Sequence, residues 1–190
     1  MVETGDEEVD YAERIAANAD VLKSAWEETI EDMKAMAADL EEDGWDAFYV
    51  AAGDTAPEHP DAGDRDRWGL VHVIPDNYVD GFEEAFETGE FPEYDVFRQE
   101  TSGELFGVTL LTDPDTRTAI LIAWNLRLHD ATPLVNKARS EEAMYSHVQT
   151  LDGTVHGSFE HDTPEKFFPR FEEYEAYFSA DYDALADDDG

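Results

Sequence analysis

The chain reads as an α+β protein: an antiparallel or mixed sheet of about seven strands, with a long N-terminal helix and an aromatic-rich C-terminal helix packed on it. Three observations predict this. Ile15, Ala19, Leu22, Trp26, Thr29, Met33, Met36 and Leu40 recur at steps of four and three, the period of a helix. Short apolar runs rich in β-branched residues follow, separated by Gly, Pro, Asn and Asp, the punctuation of strands and turns. Phe167, Phe171, Tyr174 and Phe178 then return to helical spacing.

Taken in order, residues 1–9 read as a flexible acidic N-terminus. Asp10 and Glu13 have the spacing of a capping box, and Gly44 ends the helical seam. WDAFYVAA (45–52) is a strand, 53–68 a long loop, and WGLVHVIP (68–75) a second strand. A short helix follows, with Tyr78, Phe82, Ala85 and Phe86 on one face and Gly89 closing it. YDVFRQE (94–100) turns at Ser102-Gly103 into ELFGVTLLT, which turns at Asp113–Thr116 into TRTAILIAWNLRL. That hairpin is apolar on both faces, so it belongs at the centre of the sheet. Thr132-Pro133 begins another short helix. A hairpin around Asp152-Gly153 and the aromatic helix complete a single domain over 10–180, and 181–190 is an acidic tail.

The 48 acidic residues outnumber the 12 basic ones and leave a net charge of −36. With 42% hydrophobic residues in periodic patterns, this is not the composition of a disordered acidic chain. Such self-repulsion is tolerated where the Debye length is short, about 3 Å at 1 M salt. The composition therefore implies a halophilic protein working in a high concentration of monovalent salt. Residues 101–150 hold 6 acids against 4 bases, so the two-sided apolar strands fall in the least charged stretch. Nucleic acid and anionic membrane surfaces are excluded as partners, because no basic patch is present. The longest apolar run, AILIAW (119–124), is far short of the ~20 residues a membrane-spanning helix needs. MVETGDEEVD lacks the basic and apolar regions of a secretory signal, which places the chain in the cytoplasm. The absence of cysteine removes disulfides, thiolate nucleophiles and Cys-ligated zinc.

Three stretches carry a resemblance: DGWDAFYVAAGDTAP (43–57), WGLVHVIPDN (68–77) and YSHVQTLDGTVHGSFEHDTPEKFFP (145–169). Together they resemble a family of uncharacterised haloarchaeal proteins. The shared features are a D-G-W entry into a strand, a Gly-Asp loop, a strand ending in Pro-Asp and a terminal hairpin running into F-F-P. Val50-Ala51-Ala52 stands where that family is expected to carry His-Pro. The resemblance implies an intracellular haloarchaeal protein and adds no catalytic residue.

The candidate binding residues are His147, Gln149 and His156 in the terminal hairpin. A loop centred on Asp152-Gly153 pairs Gln149 with His156 and His147 with Ser158, placing both histidines on one polar face. That face is open to three readings: a metal site, a solvated surface, or a surface buried against another element or subunit. His161 falls on the apolar side. The loop 53–68, with its carboxylates, is a second candidate pocket, since unstructured connections of ~15 residues are uncommon unless they bind something or stay disordered. No P-loop, G-x-G-x-x-G, H-E-x-x-H or G-x-S-x-G pattern occurs, and no metal or cofactor is assigned. The expectation is a binding or regulatory module acting through protein contacts or self-association. The alternative is a small-molecule or metal-dependent enzyme on the hairpin face or the loop, so enzymatic activity stays open.

Overall fold

In the computed structural model, which describes residues 4–59 and 67–178, a 39-residue helix, α1 (Thr4–Glu42), lies against a four-stranded sheet. It begins at Thr4, so it takes in most of the segment expected to be loose, and Asp10 lies inside it. The middle of the 53–68 loop and the 181–190 tail lie outside the described residues.

Where one sheet of about seven strands was expected, eight strands form two sheets of four. The first has the order β1 (Asp46–Ala51), β6 (Thr118–Arg127), β5 (Glu104–Asp113), β4 (Glu93–Thr101). Its β4–β5–β6 meander is antiparallel, and β1 joins β6 in parallel with Phe48 opposite Ile120. The second has the order β2 (Asp54–Glu58), β3 (Gly69–Val73), β7 (Met144–Gln149), β8 (Val155–His161). β2 is a correction to the expected loop. It pairs antiparallel with β3 from the edge of its sheet, where Pro57 is tolerated.

The central hairpin is covered on both faces, as its apolar pattern requires. Val108, Ala119, Leu121 and Ala123 pack under Met33 and Ala37 of α1. On the opposite face, Leu111, Ile120 and Ile122 meet Val148 and Phe159 of the second sheet, together with Phe82 from α2 (Val79–Thr88). Leu105, Trp124 and Leu126 meet α3 (Thr132–Glu141) and the C-terminal aromatics. The expected C-terminal helix is broken into short turns and α4 (Tyr174–Phe178), because Pro169 is followed by Arg170 at a left-handed φ of 51°. Its aromatic stripe still does the packing foreseen: Phe167, Phe171, Tyr174 and Phe178 are all in the core.

The chain passes from one sheet to the other in two residues. Ala52 N–H donates to Ala123 O in the first sheet, and Gly53 N–H donates to Val73 O in the second. Among the described residues no helix is long and apolar enough to cross a membrane.

Candidate functional site

The β7–β8 hairpin pairs His147 with Ser158, as the sequence register requires. One step later the pairing slips. Val148 faces Gly157, but Gln149 faces Val155, so His156 is the extra residue of a β-bulge. The expected Gln149–His156 pair is therefore not formed, and His147 and His156 have separate sets of partners. A bulge re-aims one side chain without leaving a mark on the alternating pattern, which is why the sequence places both on one face.

His147 is held from both sides. Its Nε2 lies 2.9 Å from Trp68 O and its Nδ1 lies 2.7 Å from Ser158 Oγ. A carbonyl only accepts, so Nε2 carries the hydrogen, and in the neutral ring Nδ1 is the acceptor of the Ser158 hydroxyl. Burial lowers the pKa of His147 below the ordinary histidine value, and Arg67 adds to this, against opposing pulls from the Trp68 carbonyl and Glu58. The neutral form is thus the form at neutral pH.

Gly69 makes the Trp68 contact possible. Its φ is 127°, and a Cβ there would lie 2.1 Å from Tyr145 O. Only glycine lets the chain enter β3 this close to β7, which brings the Trp68 carbonyl to the imidazole. The Trp68 and Tyr145 rings meet edge to face at 5.2 Å, and Tyr145 stacks beside His147. Gln149 belongs to the neighbouring cluster: its Oε1 accepts from Arg67 Nη2, while Arg67 Nε lies 3.7 Å from Glu58 Oε2.

His156 turns to α2, where its Nδ1 lies 2.9 Å from Glu83 Oε1. Its Nε2 lies 3.1 Å from Thr150 Oγ1, and that hydroxyl donates to Asp152 Oδ1 at 2.7 Å. Asp152 Oδ1 also accepts from Thr154 N–H, so the network ties the hairpin turn to the helix. His156→Ala is expected to cost about 1 kcal/mol. Amide hydrogen exchange checks it: protection should fall at residues 150–157 and on α2, and stay unchanged in β5 and β6.

Two further histidines line the inner face of the same sheet: His161, on the apolar side where the alternation places it, and His72, which nothing local marks. His72 and His161 are both 0% exposed. His72 Nδ1 lies 3.0 Å from Thr55 Oγ1, and His161 Nε2 lies 2.8 Å from Ser146 Oγ. The other nitrogen of each ring, His72 Nε2 and His161 Nδ1, has no hydrogen-bond partner among the described residues. Burial is the main reason that both pKa values fall to about 3. Among the described residues, no group of three or more His, Cys, Asp or Glu gathers as a metal-ligand set.

Beside the free edge of β8 lies a groove of about 580 Å³. Its floor is Phe86, Phe91, Leu111 and Phe159, and Glu90, Glu160 and Asp162 stand at its rim. Ser158, exposed and hydrogen-bonded to His147, also lines it. Glu90 N–H donates to Asp113 Oδ2 at 2.9 Å, which pins the far wall. The hydroxyl, its hydrogen committed to an oriented base, lies on the outer face of β8, and the apolar recess lies on the inner face across the same free edge.

The profile of a family described as a family of unknown function, DUF7529, matches residues 12–169 of the chain. No curated protein and no solved structure matches it.

Proposed function

The chain belongs to the DUF7529 family, whose function is unknown, and within it we propose a binding or regulatory module that acts through protein contacts, first of all with a second copy of itself. One observation carries this reading. The apolar seam of α1 is buried at Ala25, Met33 and Ala37, and its described residues become exposed towards the N-terminus. Tyr11 is 67% exposed and Ile15 is 53% exposed on that overhang, against a core where Met33 is 1% exposed. A helix of 39 residues is about 58 Å long, and its buried contacts with the first sheet lie in its second half, at Met33 and Ala37. Exposed apolar surface continuous with a buried stripe is a surface suited to a partner.

The setting proposed with this function is a haloarchaeal cytosol rich in monovalent salt, with neither nucleic acid nor membrane as partner. A net charge of −36 supports that setting, because screening is what lets two such chains approach. Light scattering in multimolar KCl tests the contact. The expected result is a dimer at micromolar concentration that Tyr11→Glu, Ile15→Glu turns into a monomer with an unchanged melting temperature. A wild-type monomer retires the self-association.

The alternative, a small-molecule enzyme on the hairpin, is supported by one observation of its own: the Ser158–His147 pair at the β8 edge of the groove.

A further inference from the structure

We propose that Ser158 is a nucleophile towards small neutral acyl and phosphyl compounds, with His147 as the base that takes its proton. This rests on the enzymatic reading of the hairpin and is independent of the contacts of α1. Three parts are in place. The nucleophile is the hydroxyl of Ser158, an exposed residue at the β8 edge of the groove whose side chain lies on the outer face of the strand. The base is His147, whose Nδ1 lies 2.7 Å from Ser158 Oγ. The group that orients the base is the Trp68 carbonyl, 2.9 Å from Nε2, which fixes the tautomer with its lone pair towards the serine. A nucleophile, a base within hydrogen-bond reach and a third group holding the base make up the arrangement of an activated serine. The pair arises across two strands, so it needs no strand-to-helix elbow.

The surroundings define the substrate class. Phe86, Phe91, Leu111 and Phe159, on the inner face of β8, offer an apolar bed to an acyl chain that folds over the strand edge from Ser158. Glu90, Glu160 and Asp162 at the rim repel anions, and the apolar floor disfavours cations, so the ligand is neutral. β8 is an edge strand, and successive residues of a strand point their amides to alternate sides. Either the Ser158 or the Phe159 amide therefore faces the open edge, where it is placed to donate to an oxyanion.

The reaction with an ester proceeds in two balanced steps. Ser158 Oγ attacks the acyl carbon as its proton passes to His147 Nδ1, and the departing alcohol takes that proton. Water then attacks the acyl-serine, His147 accepts its proton and returns it to Ser158, and the acid is released. With an alkyl fluorophosphonate, Oγ bonds to phosphorus as its proton passes to His147 Nδ1, fluoride leaves, the imidazolium gives the proton to solvent, and the adduct persists.

The test is labelling of the full chain in high KCl with an uncharged alkyl fluorophosphonate, read by peptide mass mapping. The expected result is one adduct per chain on Ser158, absent in Ser158→Ala. In His147→Gln the rate should be lower by about 10²-fold or more. Ser158 is exposed, so its alanine variant keeps the fold. If His147→Gln fails to fold, the wild-type pH profile decides: the labelling rate must rise through a midpoint below the ordinary histidine value. Absence of a Ser158 adduct, labelling spread over several serines, or a rate indifferent to pH overturns the proposal. Hydrolysis of p-nitrophenyl butyrate, lost in Ser158→Ala, tests the enzymatic reading separately. A labelled serine without turnover leaves the nucleophile standing and retires the enzyme.

Discussion

Gly107→Ala is expected to lower stability by about 3 kcal/mol, the upper end for overpacking of a filled core. Gly107 lies directly opposite Trp124 in the β5–β6 ladder. A Cβ there would sit 2.3 Å from Trp124 Cζ2 and 2.6 Å from Cε2, well inside contact distance. The indole cannot move aside cheaply. It is 0% exposed, and its Nε1–H donates to Thr109 Oγ1 at 2.9 Å. Phe167 packs beside it at 6.3 Å between ring centres. Denaturant unfolding in high KCl checks the value. Thr109→Val, which leaves the ring in place but its N–H unpaired, should cost about 1–2 kcal/mol.

Mild acid is expected to destabilise the protein steeply through His72 and His161. Each has a folded pKa of about 3 against 6.5 for the free side chain. The unfolded chain therefore binds protons that the folded chain refuses. Their contribution is fully present above pH 6.5 and is lost as the pH falls towards 3. For the pair, the loss between pH 8 and pH 5 is about 4 kcal/mol. Burial dominates both shifts. Asp162 pulls against it at His161, while at His72 the nearby His161 and His147 add to it. His161→Phe should halve the slope of stability against pH. The pocket suits a phenyl ring, because His161 already lies between Tyr94 and Phe167 at 4.6 and 4.7 Å. Unfolding midpoints at several pH values in constant KCl measure it. An unchanged slope in His161→Phe would remove that histidine from the account.

The sequence carried those parts of the fold whose signal is local. The meander, α2, α3 and the buried half of α1 follow from periodicity and turn residues, but the central hairpin pairs Val108 with Ala123, two residues from the register that a loop at Asp113–Thr116 would set, which keeps the same faces together. What escaped depends on distant partners. DTAPE has no apolar alternation, and it is a strand only because β3 offers its edge. The division into two sheets rests on two parallel pairings, β1 with β6 and β3 with β7, and parallel partners leave no turn between them to read. At the site, His147 opposite Ser158 was legible, because a hairpin fixes its own register. The Trp68 carbonyl and Glu83, which decide what His147 and His156 can do, come from 79 and 73 residues away in sequence.

The two-residue corner at Ala52–Gly53 governs how the molecule can come apart. Neighbouring amides there are anchored in different sheets, to Ala123 and to Val73. Fraying β1 from β6 pulls on β2, and fraying β2 from β3 pulls on β1, so neither sheet has a free end at this corner from which to unzip. The β4–β5–β6 meander has short connections and is cheap to close, whereas β1 waits for a partner strand that the chain reaches only after the meander is complete. The corner thus acts as a latch set late in folding. The expected consequence is that the two sheets lose amide protection together, and with them the frame of the groove at the β8 edge.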